Sequence, residues 1–167
     1  RQMCKETGQT AYTYDDAGNI VSENRSGVDI AKKDELVRYY YDKANQLIRT
    51  NIEGKNTKYS YDLAGNQLSV TDPEGNVTKY IYDLLGRAVE QINADGSKTR
   101  TVYDALGRTT ESYDELGGKT ATTYDANGNQ LTVTDPKGNK TSYQYNRKDH
   151  SLLLTDNLSL IHISEPT

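Results

Sequence analysis

The sequence predicts an all-β chain of repetitive antiparallel hairpins, and three observations carry that prediction. A Tyr-Asp or Tyr-Asn pair recurs at a nearly fixed interval, glycine-bearing turns separate short alternating runs, and no stretch sustains a helical period. The 167 residues include fourteen tyrosines and neither Phe nor Trp, and Val, Ile, Leu and Phe together make up less than a fifth of the chain. Such a composition borders on disorder, yet the formal net charge is only −4, so strong self-repulsion is missing. A compact core is hard to build from these residues. A regular repeat is the alternative.

The pairs are Tyr14-Asp15, Tyr41-Asp42, Tyr61-Asp62, Tyr82-Asp83, Tyr103-Asp104, Tyr124-Asp125 and Tyr145-Asn146, with successive spacings of 27, 20, 21, 21, 21 and 21. Four residues past the Tyr stands a glycine in most units (Gly18, Gly65, Gly86, Gly107, Gly128), followed by Asn or Arg, as in Arg87 and Arg108. Two residues further comes an aliphatic or Thr column: Val21, Ile48, Leu68, Val89, Thr110, Leu131, Leu152. Half a repeat later a second turn follows, as in Asp72-Pro73-Glu74-Gly75-Asn76 and Asp135-Pro136-Lys137-Gly138-Asn139. Each unit is therefore two extended runs and two turns.

The runs read as strands. In Val77-Thr78-Lys79-Tyr80-Ile81-Tyr82 the two rings are two residues apart and share a face, as they do at Tyr12/Tyr14, Tyr39/Tyr41, Tyr59/Tyr61 and Tyr143/Tyr145. Leu68-Ser69-Val70-Thr71 and Leu131-Thr132-Val133-Thr134 alternate apolar with polar, as a half-buried strand does. The turns suit them: Asp accepts a local backbone N–H, Pro presets φ, and Gly takes the positive φ, with Asn45 as its substitute in the second unit.

Three segments depart from this pattern. Residues 1–10 read as part of a preceding repeat, and the array itself spans 11–154. The long first interval is expected to hold an enlarged, solvated turn over about 24–35. Residues 155–167 are a non-repeat tail. Within it, residues 158–167 match the in-frame translation of a transposase-type sequencing adapter and are expected to be no part of the fold.

The units Tyr82-Asp83-Leu84-Leu85-Gly86-Arg87, Tyr103-Asp104-Ala105-Leu106-Gly107-Arg108 and Tyr61-Asp62-Leu63-Ala64-Gly65-Asn66 resemble the rearrangement-hotspot (Rhs), or YD, repeat. The resemblance implies hairpins stacked as an open arc of a spiral shell. It also implies a large bacterial protein, secreted or surface-exposed, whose shell encloses a C-terminal toxin domain. Its partners would then be the flanking repeats and that toxin. An adhesion module binding cell-surface glycans is the alternative, since tyrosine ladders can serve as carbohydrate platforms.

The residues predict no enzyme, cofactor or metal site. His150 falls in the column after the turn glycine, His162 lies in the tail, and Cys4 precedes the first unit, so no nucleophile, base and orienting acid can be assembled. No calcium-loop spacing occurs. Asp72-Pro73 and Asp135-Pro136 are accounted for as turn residues rather than protease aspartates, and the sequons at Asn24, Asn76 and Asn139 follow from composition. Twenty basic and twenty-four acidic residues are interspersed, so neither a nucleic-acid partner nor a membrane span is expected. The isolated array is expected to be marginal, because terminal strands expose unpaired backbone groups. A cooperative, monomeric melt of residues 11–154 would count against that.

Overall fold

In the computed structural model the described residues are 9–26, 35–145, 151–155 and 160–162. They form fifteen strands and no helix: β1 (Gln9–Tyr14), β2 (Ile20–Ser26), β3 (Glu35–Tyr41), β4 (Leu47–Ile52), β5 (Lys55–Tyr61), β6 (Gln67–Thr71), β7 (Val77–Tyr82), β8 (Ala88–Ile92), β9 (Lys98–Tyr103), β10 (Thr109–Tyr113), β11 (Lys119–Tyr124), β12 (Gln130–Thr134), β13 (Lys140–Tyr145), β14 (Ser151–Thr155) and β15 (Leu160–His162). The chain divides into two compact units, Arg1–Lys79 and Tyr80–Thr167, and the division falls inside β7. In the first unit β1 to β7 follow one another, each paired antiparallel with the next. In the second, β8 to β15 follow the rest of β7 in the same way. The chain is all-β, as the repeat predicts.

Ten connections share one geometry, at residues 15–19, 42–46, 62–66, 72–76, 83–87, 93–97, 104–108, 114–118, 125–129 and 135–139. In each, the first residue's N–H donates to the fifth's carbonyl and the fourth's N–H donates to the first's carbonyl, at 2.9 to 3.2 Å. The fourth residue has positive φ: glycine at nine turns, between 74° and 95°, and Asn45 at 60°. This is the three-residue hairpin loop, a type I turn closed by one left-handed residue. Both turn classes read from the sequence are thus one structure.

The connection between β4 and β5 differs. Glu53 and Gly54 both have positive φ, 50° and 88°, and Ile52 pairs with Lys55 across them. This two-residue loop is one residue shorter than the others, which accounts for the single spacing of 20. A glutamate held in the left-handed region costs about 1 kcal/mol, whereas asparagine adopts it readily. Glu53→Asn is therefore expected to raise the melting temperature by a few degrees. An unchanged melt, followed by circular dichroism, would contradict the assignment.

Two boundaries differ from the sequence reading. Asn24 pairs with Leu36 and Arg25 with Glu35, so the enlarged first turn is narrower than 24–35. Arg25 holds the ladder open to that point, with Nε 2.6 Å from Glu23 and Nη1 3.3 Å from Glu35. What remains of the turn, residues 27–34, lies outside the described residues. In the tail expected to stand apart from the fold, Leu160, Ile161 and His162 pair with Thr155, Leu154 and Leu153. Ladder bonds use backbone groups that every residue but proline carries, so a segment outside the repeat can still join the sheet.

Six of the strands leaving a Tyr-Asp or Tyr-Asn turn carry one extra residue. Tyr14 lies opposite Ile20 and Thr13 opposite Ser22, which leaves Val21 unopposed. The same occurs at Ile48, Leu68, Thr110, Leu131 and Leu152. These six members of the aliphatic-or-Thr column are β-bulges.

Alternation along each strand and register between strands sort the side chains by face. In the first unit Tyr12, Tyr14, Tyr39, Tyr41, Tyr59 and Tyr61 share a face, while Arg38, Arg49, Lys58 and Lys79 stand on the other. In the second, Tyr103, Tyr124, Tyr143 and Tyr145 share a face and Glu90, Lys98, Arg100, Glu111 and Lys119 take the other. Among the described residues only Val37, 4% exposed, and Glu23, 8% exposed, are buried. Glu23 accepts the Tyr39 hydroxyl at 3.1 Å and is held ionised by Arg25. The described residues form no core of ordinary kind, so their stability rests on ladders, turns and the contacts that tie one turn to the next.

Candidate functional site

Nine of the ten turns are organised by their first side chain, an aspartate; at 93–97 it is Asp95 Oδ1 that accepts the Ser97 N–H, at 2.9 Å. Oδ1 of Asp15 accepts the N–H groups of Ala17 and Asn19 at 3.0 and 2.8 Å, and Oδ2 accepts the Asn19 amide at 3.0 Å. Asp62, Asp72, Asp125 and Asp135 repeat all three bonds. At Asp83 and Asp104 the third donor is Nε of Arg87 and Arg108, both at 2.7 Å. Asp42 and Asp114 accept the two backbone bonds.

The donors at Asp15, Asp62, Asp72, Asp83, Asp104, Asp125 and Asp135 hold those carboxyls below their ordinary value. The Asn side chain is the main cause at Asp15, Asp62, Asp72, Asp125 and Asp135; the Arg87 side chain is at Asp83, and the Arg108 backbone N–H is at Asp104. A carboxylate depressed in the folded state contributes stability above its unfolded pKa and loses it as the pH falls through the folded one. The melting temperature is accordingly expected to be level above about pH 5 and to fall steadily below about pH 4. A melt that stays unchanged from neutral pH down to about pH 2.5 would show that the bonds contribute nothing.

The Tyr-Asp motif also joins each repeat to its neighbours. The hydroxyls of Tyr41, Tyr61, Tyr103 and Tyr124 donate to the carbonyls of Ile20, Leu47, Ala88 and Thr109, at 2.9, 2.8, 3.1 and 2.7 Å. Every acceptor lies six residues past the preceding Tyr, at the start of the strand leaving its turn. Burial pushes the Tyr61 phenol pKa up. The arginines reach the other way: Nη1 of Arg87 and Arg108 donate to the carbonyls of Asp104 and Asp125 at 3.3 and 2.9 Å. Their guanidinium carbons lie 4.6 Å from the ring centroids of Tyr103 and Tyr124. Each of these tyrosines is thus bonded backward through its hydroxyl while the preceding arginine covers its ring and holds the next carbonyl. In the first unit, the Asn19 amide bridges to Asn45 at 3.2 Å.

The structure thus brings together Tyr103, Asp104, Arg87 and Asp83, and likewise Tyr124, Asp125, Arg108 and Asp104. Tyr14 stands on β1, mostly exposed at 59%, and Asn146 lies outside the described residues. The tyrosine acceptors were not foreseen from sequence, nor was the forward reach of the arginines. Their signal is the constant sixteen-residue offset from Arg87 to Tyr103 and from Arg108 to Tyr124.

The arrangement joins one repeat to the next. A cleft of about 350 Å³ is lined by Asp83, Arg87, Glu90, Arg100 and Tyr103, but Arg87 is spent on Asp83 and Glu90 on Lys98. Among the described residues no three of His, Cys, Asp and Glu come together as metal ligands. Cys4 and His150 lie outside the described residues. Among the described residues no helix is long and apolar enough to cross a membrane.

Comparison with known proteins agrees with this architecture. No curated protein sequence matches the chain. Among solved structures it is similar to the TcdB2-TccC3-Cdc42 crystal structure, with 18% identity and a TM-score of 0.70 over 88% of this chain. It is also similar to the Photorhabdus luminescens Tc holotoxin pore, with 16% identity and a TM-score of 0.72 over 92%. A third match is TcdB2-TccC3 without its hypervariable C-terminal region, at 16% identity and a TM-score of 0.69. The chain spans 9% of the length of each. The RHS repeat matches it five times in overlapping register, at residues 41–77, 61–99, 82–119, 103–140 and 124–157, each match starting on the Tyr of a Tyr-Asp pair. The chain, with its Tyr-Asp joints repeating in the same register, belongs to the RHS repeat family.

Proposed function

We propose that this chain is a non-catalytic wall segment of a bacterial Rhs shell that encloses a C-terminal toxin domain, in a secreted or surface-exposed protein. The observation that carries the reading is the joint: Tyr41, Tyr61, Tyr103 and Tyr124 each tie their repeat to the one before through the same carbonyl position. A joint that repeats in register extends a sheet by any number of units, and each unit is stabilised by its neighbours rather than by a core of its own. Of the similar solved structures, one is described as a Tc holotoxin pore and another as lacking a hypervariable C-terminal region. The glycan-binding alternative draws no support from Tyr103 and Tyr124, since a ring face that would stack on a sugar is covered by Arg87 and Arg108.

The test is to recover the gene beyond residue 157 and express the whole protein. A C-terminal domain that resists protease in the intact protein, and becomes sensitive once Gly86→Val and Gly107→Val disrupt the array, supports the reading. A domain equally sensitive in both, or a frame ending in a wall anchor or a lectin-like domain, overturns it.

A further inference from the structure

The face opposite the tyrosines differs between the two units, although its positions correspond. The column three residues before the repeat Tyr reads Arg38, Lys58, Lys79 and Arg100. In the second unit Arg100 lies directly across from Glu90, and Lys98 and Lys119 form ion pairs with Glu90 and Glu111. In the first unit Arg38 lies across from Ser22, Lys58 across from Arg49, and Lys79 across from Ser69. No strand position on this face of the first unit holds a carboxylate. Arg38, Lys58 and Lys79 are exposed, and Arg49 lies 3.7 Å over the Tyr40 ring.

An Arg directly opposite a Lys is an unfavourable cross-strand pair. The second unit avoids it with a glutamate at the corresponding position; the first unit keeps four cations with no carboxylate at a strand position on their face, across strands each about 4.8 Å apart. Beside them a cleft of about 390 Å³ runs between the turns at 53–54 and 72–76, lined by Asn56, Lys58, Thr71 and Glu74. Asp72 also borders it, but its carboxylate is taken up by its own turn. Around the cations the face carries Ser22, Asn51, Asn56, Ser69 and Thr71, groups that bond a peptide main chain, together with the apolar Leu36 and Val77. Tyr40 is capped by Arg49, so no bare ring is offered for base stacking.

We propose that this face of the first unit, centred on Arg38, Arg49, Lys58 and Lys79, docks an extended acidic segment of polypeptide. Charge complementarity selects the partner, and the amide and hydroxyl groups between the cations accommodate its backbone. The inference is independent of the proposed function, because it requires no enclosed cargo.

The experiment titrates the 167-residue chain into fluorescein-labelled deca-glutamate, read by anisotropy at about 50 mM salt. Binding is expected, weakening about tenfold by about 200 mM as the charges are screened. Arg49→Gln, Lys58→Gln and Lys79→Gln together should weaken it about tenfold, whereas the charge-matched set Lys98→Gln, Lys119→Gln and Lys140→Gln should leave it within about twofold. Ser69→Glu supplies Lys79 with the counter-charge that Arg100 already has, and should weaken binding in a chain whose ladder is intact by circular dichroism. No binding of deca-glutamate, or equal loss in the two triple variants, overturns the proposal. Equal or tighter binding of deca-thymidylate or of phosphatidylserine vesicles also overturns it, in favour of nucleic acid or lipid.

Discussion

Replacing Gly86 by Val is expected to lower the melting temperature far more than replacing its neighbour Arg87 by Ala. Gly86 has φ of 74°, a region where an ordinary side chain costs about 1–2 kcal/mol and a β-branched one more. At the equivalent Gly107 an added Cβ would meet nothing nearer than an Arg87 nitrogen at 3.8 Å, so there the cost is the backbone conformation itself. Arg87 contributes a part-exposed ion pair with Asp83 and a place over the Tyr103 ring, together about 1 kcal/mol. Circular-dichroism melts of both variants decide the matter, and equal falls would undo the turn assignment. Gly86→Asn is the control: Asn45 already occupies the same turn position at φ of 60°, so most of the loss should be absent.

The second large effect is expected at Tyr103. Removing its hydroxyl as Tyr103→Phe breaks the bond to the Ala88 carbonyl and should cost about 1 kcal/mol. Tyr103→Ala also removes the ring that Arg87 covers and should cost about 2–3 kcal/mol. Combined with Arg87→Ala, the losses should fall short of additive by about 0.5–1 kcal/mol, since both residues serve one contact. Arg87→Ala with Tyr124→Ala should be additive, because Tyr124 belongs to the next joint, where Arg108 lies over it. Strict additivity in the first pair would mean that Arg87 and Tyr103 are neighbours without being coupled.

Much of the fold was legible because its rules are local. A turn that needs one left-handed residue after Asp-x-x announces itself in Gly18, Gly65, Gly86, Gly107 and Gly128, and even in Asn45. The shared face of Tyr59 and Tyr61 follows from a period of two. What could not be read depends on pairing between strands. Val21 and Leu68 look like ordinary apolar strand residues, and only the register of β1 with β2 and β5 with β6 makes them bulges. The Tyr103 acceptor, Ala88, is fifteen residues away in sequence, and nothing in an alanine marks its carbonyl. The extent of the first turn was missed for a similar reason: Asn24 and Arg25 are polar enough to read as loop, yet Glu23 and Glu35 keep Arg25 in the ladder.

Tyrosine hydroxyls and arginine nitrogens in these joints grip backbone carbonyls, and every repeat has the same carbonyls. Excise residues 104–124 and Tyr103 runs directly into Asp125-Ala126-Asn127-Gly128-Asn129, another complete turn of the same kind. Arg87, which held the carbonyl of Asp104, would meet that of Asp125 in its place, and Tyr103 would keep its bond to Ala88. In the gene this is the loss of 63 nucleotides between two similar stretches, the event that unequal recombination produces. The protein is therefore built so that its length can drift by whole repeats without a compensating mutation.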